Sequence, residues 1–94
     1  MRAKRLFDLG RLLITPGALV ALNEARQTPY GFLYRHATGD WGDDLSPRDR
    51  RQNNFSVKNG LRILSSYLTR NETKIWIITE ATRESTTILL PEEY

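Results

Sequence analysis

Apolar positions recur along this chain with two different periods, and the period changes near residue 60. Ala18, Leu19, Leu22 and Ala25 fall on one face at helical spacing, which predicts a short amphipathic helix over about 16–26. Thr15-Pro16 suits its start, because threonine can cap the first turn and a proline at the first helical position has no N–H to leave unpaired. Thr28-Pro29 reads as its end, since proline disfavours the helical region in the residue before it. "YGFLYRHA" (30–37) follows as an aromatic-rich strand candidate, with Phe32, Tyr34 and His36 on one face at period two. Ser46-Pro47-Arg48-Asp49 has the form of a capping box and opens a second helix, ending near Asn59 with Gly60 as its left-handed terminator. The apolar stripe of that helix is thin, so most of it is expected in solvent.

From residue 61 the spacing becomes that of strands. "LRILSSYL" (61–68), "KIWIITEA" (74–81) and "TTILLP" (86–91) are joined by the short polar turns "TRNET" and "TRES", which predicts a three-strand antiparallel meander. "GRLLIT" (10–15) adds one more short apolar run. The expected architecture is a single α+β domain over 1–94, an antiparallel sheet of four to five strands flanked by two helices.

Composition narrows the chemistry. The chain has no cysteine, so a thiolate zinc site, a disulfide framework and a cysteine nucleophile are excluded. No apolar run approaches the roughly 20 residues of a membrane span, and Asp8, Gly10 and Arg11 interrupt the N-terminal leucines, unlike a secretory signal. The expectation is a cytoplasmic protein that does not enter membranes. Its formal charge of +3 is modest, but Arg2, Lys4, Arg5 and Arg11 crowd one end and Arg48, Arg50 and Arg51 crowd a later turn. Such clusters can follow a phosphate backbone, although solvated surface is the commoner role. Glycine-rich phosphate loops, nucleophile elbows and dinucleotide fingerprints do not occur, and no ligand spacing implies a metal or cofactor.

The stretch "RHATGDWGDD" (35–44) concentrates unusual residues: the only histidine, a tryptophan, three aspartates and two glycines. His36 beside carboxylates could serve as a general base, and Glu80, the one carboxylate of an otherwise apolar strand, could be its partner. Such a pairing would raise the imidazole pKa. Asp40 and Asp49 are the carboxylates nearest in sequence. Asp49 and Asn53 share a helical face that could point back at His36. Trp41 serves either as a lid on the core or as an anchor for a partner. Arg83 sits across the last hairpin from Glu80 and can pair with it; the blander role of Glu80 is a salt bridge to Arg83 or Arg62.

At "TPGAL", "RHATGDWGD" and "KIWIITEATRESTTILLPEEY" the chain resembles a group of small bacterial proteins labelled "plasmid-related", carried on plasmids and other mobile elements. The resemblance covers nearly the whole chain. Where such proteins often read "ITEADRS", this one has Thr82 in place of the aspartate. The resemblance implies a mobile-element origin, such as a gene cassette, and carries no activity or catalytic residues with it.

Three functional readings follow. The leading one is an accessory protein that binds a protein or small ligand through the 36–44 loop, using Asp40, Trp41, Asp49, Asn53 and Arg83. The second is a small metal-independent ribonuclease-like hydrolase using His36 with Glu80 or a loop aspartate. The third is non-specific nucleic-acid binding through the basic clusters.

Overall fold

A computed structural model describes residues 4–94; Arg2 of the N-terminal basic cluster lies outside the described residues. The chain runs β1 (Arg11–Ile14), α1 (Pro16–Glu24), α2 (Pro29–Ala37), α3 (Pro47–Asn59), β2 (Ile63–Leu68), β3 (Lys74–Thr79), β4 (Ser85–Leu89) and a final 3-10 turn, Pro91–Glu93. It is an α+β fold with three helices and a four-stranded mixed sheet.

Each helix opens on the same dipeptide, a hydroxyl residue followed by proline. Thr15 Oγ1 accepts from the Ala18 N–H and Ser46 Oγ from the Asp49 N–H, so α1 and α3 begin as their sequences predict. Gly60 (φ +65°) closes α3 in the left-handed conformation. The strand expected over 30–37 is instead α2. Thr28-Pro29 starts this helix rather than only ending the one before it, with proline again in the first turn. Phe32, Leu33, His36 and Ala37 are its buried residues, at helical i, i+1, i+4 and i+5 spacing. Aromatic content favoured a strand, and the fit of that helical face to the sheet decided otherwise.

The sheet order is β1-β4-β3-β2. The meander forms as expected: Ser65 pairs with Ile77, and Ile77 with Ile88, in antiparallel register. The sheet is not antiparallel throughout, because β1 joins β4 in parallel, Leu12 opposite Thr86 and Ile14 opposite Ile88. Short turns force antiparallel neighbours, whereas β1 and β4 are separated by most of the chain and are free of that constraint. Period two then sorts the faces. Ile63, Ser65, Tyr67, Ile75, Ile77, Thr79, Thr86 and Ile88 point towards α1 and α2, and all are buried. Ala18, Leu22, Phe32 and Leu33 complete the main core. A second cluster of Phe7, Trp41, Leu45 and Ile63 lies at the β2 end.

The acidic C-terminus is part of the fold. The Glu93 carboxylate accepts from Thr15 Oγ1 at 2.5 Å, the Gly17 N–H at 3.0 Å and the Leu90 N–H at 2.8 Å. Those hydrogen bonds, Thr15 first, hold its pKa below the usual carboxylate value. A negative charge there also complements the positive end of the α1 dipole.

Candidate functional site

His36 is placed by the last turn of α2, which pushes the imidazole onto the inner face of the sheet. Its side chain is fully buried. Nδ1 lies 2.5 Å from Ser65 Oγ and Nε2 lies 2.8 Å from Thr79 Oγ1. The direction of these bonds follows by elimination. The Thr86 hydroxyl donates to the Leu9 carbonyl at 2.7 Å, so toward Thr79, 2.7 Å away, it must accept. Thr79 therefore donates to Thr86 and accepts from Nε2–H, which leaves Nδ1 as the acceptor for Ser65. The neutral Nε2–H tautomer satisfies every member of a chain running from Ser65 to a backbone carbonyl. The Phe7 ring, perpendicular to the imidazole, and the Trp41 ring close over it, at centroid distances of 5.3 and 6.0 Å.

This environment reverses the expected pKa shift. No carboxylate meets either ring nitrogen among the described residues; desolvation, reinforced by the nearby Arg83 charge, lowers the His36 pKa to about 3. The carboxylates assigned to it are engaged elsewhere. Asp40 forms a two-bond pair with Arg35, at 2.7 and 3.2 Å, and its Oδ1 also accepts from the Gly42 N–H. The Arg35 bond in particular holds the Asp40 pKa low. Asp49 is exposed in the first turn of α3. Glu80 is exposed in the turn after β3, not within the strand. Arg83 takes the Glu80 carbonyl, not its carboxylate, together with the Leu61 and Ser56 carbonyls, and its guanidinium lies 5.5 Å from the Phe7 centroid. Arg62 instead donates to the Tyr94 hydroxyl. Arg83 thus ties the last hairpin to the end of α3.

Asn53 of α3 and the loop residues Trp41 and Gly42 seal the outer edge of β2. Asn53 does not point at His36; its side-chain amide donates to the Leu64 carbonyl at 2.6 Å and accepts from the Leu64 N–H at 3.1 Å. The Trp41 carbonyl accepts from the Ser66 N–H at 3.1 Å. Gly42, at φ +93°, lies so close that an added Cβ would fall 1.9 Å from the Ser66 oxygen. The Trp41 ring is 3% exposed, with its Nε1–H donated to Asn54 Oδ1. It is a lid on the core, which removes it as an anchor for a partner.

Two adjoining surface clefts share Arg35. One, of about 200 Å³, is lined by Arg35, Asp43, Asp44, Tyr67 and Leu68. The other, of about 350 Å³, is lined by Arg26, Gln27, Thr28, Gly31, Phe32, Arg35 and Arg70, with no acidic residue. Gln27 Oε1 accepts from the Arg70 N–H at 2.7 Å and so fixes the β2–β3 turn against the α1–α2 connection. Arg35 is paired with Asp40, whereas the Arg26 and Arg70 guanidinium groups have no partner among the described residues. Sequence reading missed this cleft because its cations come from three separate segments. Among the basic residues that it did single out, Arg50 is tied to the Leu45 and Gly42 carbonyls, and Arg5 pairs with Asp8 at 3.4 Å.

Among the described residues no group of three His, Asp or Glu side chains is placed to hold a metal ion, and no helix is long and apolar enough to cross a membrane. No family model, curated protein or solved structure matches the chain.

Proposed function

We propose that this is a small non-catalytic accessory protein that binds an anionic small ligand, one bearing phosphate or carboxylate, on the surface centred on Arg35. The observation that carries this reading is the cleft of about 350 Å³ with two unpaired guanidinium groups and no acidic lining residue. Guanidinium is suited to such ligands because its planar fork meets two oxygens at once. The 36–44 loop contributes indirectly: Asp40 fixes Arg35, and Asp43 and Asp44 border the neighbouring cleft. A cytoplasmic setting, and a mobile-element origin of the kind suggested by the "plasmid-related" resemblance, fit such a role and rest on the sequence alone.

The hydrolase reading has less support. A general base must reach the proton that it removes, and His36 is enclosed with both ring nitrogens occupied. Titration with inorganic pyrophosphate, followed by calorimetry and by the NMR signals of the arginine side chains, tests the proposal. Saturable binding that is lost in the double variant Arg26→Gln/Arg70→Gln is expected. Absence of binding at millimolar pyrophosphate, or binding unchanged in the double variant, overturns it.

A further inference from the structure

The two edges of the sheet are finished differently. Along β2 the outward backbone groups of Leu64 and Ser66 are covered by Asn53, Trp41 and Gly42. β1 has no such cover. Its Arg11 and Thr15 N–H groups turn to β4, bonding Glu84 and Ile88 carbonyls at 2.9 and 3.0 Å. By the alternation of a strand, the N–H and C=O groups of Leu12 and Ile14 then face outward, and they have no partner among the described residues. All four residues of β1 are exposed. The strand is short, but it contains no proline, no lysine and no bulge, and its one charge, Arg11, lies at its first residue, away from the outward groups of Leu12 and Ile14.

We propose that this edge pairs with the same edge of a second copy of the chain, forming a continuous eight-stranded sheet across a two-fold axis at Leu13. The outward groups of Leu12 and Ile14 dictate the register. Leu12 of each copy exchanges two hydrogen bonds with Ile14 of the other, giving four in all, and the two Leu13 residues face each other as a non-hydrogen-bonded pair. Leu12 and Ile14 then meet their partners on the inner side of the sheet, beside an apolar groove that also includes Pro29, Tyr30 and Leu33. Leu12, Leu13 and Ile14 are 49%, 43% and 37% exposed and Tyr30 71%. Their uncovered surface, backbone included, is roughly 400 Å² per copy, so with the flanking Arg11 and Thr15 a pair removes on the order of 1,000 Å², the size of a small, transient interface.

Charge favours this occupant over an arbitrary strand. The register sets Arg11 opposite Thr15 of the other copy, on the face of the sheet where Thr15 Oγ1 holds the Glu93 carboxylate. Arg11 has no ion-pair partner within its own chain among the described residues. Two symmetrical Arg11–Glu93 attractions flank the Leu13 pair, and no like charges face one another. The isologous arrangement also uses up both open edges at once, so assembly stops at two.

Sedimentation equilibrium of the full chain tests the proposal, with a dissociation constant in the micromolar range expected. Arg11→Glu opposes like charge to Glu93 and should weaken association at least about tenfold, a change of about 1.4 kcal/mol. Because the chain has no cysteine, Leu13→Cys supplies a second readout that does not depend on that variant. Facing Cα atoms about 4.5 Å apart permit a disulfide, so Leu13→Cys should oxidise to a covalent dimer far faster than Leu68→Cys, placed at the similarly exposed leucine of the opposite edge strand. A chain that stays monomeric at about 500 µM overturns the proposal, since that is far above a micromolar dissociation constant. So does a dimer indifferent to Arg11→Glu in which Leu13→Cys oxidises no faster than Leu68→Cys.

Discussion

The β2 edge and the β1 edge lie on opposite sides of one small sheet and pose the same physical problem, a row of backbone groups with nothing to pair. At β2 the fold answers with its own residues. The loop after α2 lays Trp41 and Gly42 along the strand, α3 delivers Asn53, and the Ser66 hydroxyl donates to Asp44, which also meets Lys74 at 3.1 Å. At β1 the corresponding groups stay open, bordered by leucine, isoleucine and tyrosine. The difference teaches that the unusual composition of "RHATGDWGDD" serves closure: its histidine, tryptophan and second glycine are consumed in building one wall of the protein. The surfaces that this closure does not cover include the arginine cleft and the bare strand.

The sharpest way to break the comparison is at Gly42. Alanine there adds a Cβ against the Ser66 carbonyl at a backbone conformation unfavourable to L residues, and should cost at least about 3 kcal/mol in urea melts. Gly31→Ala is the control: nothing lies within 4 Å of the added carbon. That helical site should gain up to about 1 kcal/mol. Equal effects at the two glycines would remove the case for a tight seal.

The buried imidazole behind that wall gives the next effect. In the unfolded chain His36 takes up a proton as pH falls through about 6.5, while the folded chain resists until about 3. Its contribution is therefore complete above pH 6.5 and declines as pH falls, by about 1.4 kcal/mol per unit. Between pH 7.5 and pH 5 the loss should be about 2 kcal/mol, over a range in which Asp and Glu of the unfolded chain stay largely ionised. His36→Gln should flatten that slope. An NMR titration placing the imidazole pKa at or above 6.5 would contradict the enclosed, neutral tautomer.

A smaller effect tests the edge itself. Asn53→Ala removes both hydrogen bonds to Leu64 and should cost roughly 1–3 kcal/mol. A loss under about 0.5 kcal/mol would mean that water replaces the amide without penalty.

Much of the fold was legible in the chain. Thr15-Pro16, Ser46-Pro47 and Gly60 mark helix ends by local chemistry, and the short turns around 69–73 and 80–84 determine a meander; local signals of this kind need no knowledge of the rest of the molecule. Thr28-Pro29 carried the same signal as the other two helix starts, but proline both ends and begins helices, and the aromatic residues that follow suited a strand equally well. The parallel pairing of β1 with β4 could not be read, because it joins segments with three helices between them. The site was legible in its members but not in their roles. Ser65, Thr79 and Thr86 are hydroxyl residues at inward strand positions, a visible sign that something polar lies between the helices and the sheet. That it was His36 depended on α2 being a helix. The arginine cleft draws on the α1–α2 connection, α2 and the β2–β3 turn together, and no spacing along the chain announces it.

The most direct test of the contrast between the edges is native-state hydrogen exchange at the four outward amides. The account predicts that in dilute protein the Leu64 and Ser66 N–H groups, bonded to Asn53 and to the Trp41 carbonyl, exchange only through large-scale opening, while those of Leu12 and Ile14 exchange rapidly. Raising the protein concentration should slow Leu12 and Ile14 alone. Leu64 and Ser66 amides as labile as those of Leu12 and Ile14, or all four equally protected at every concentration, would contradict it.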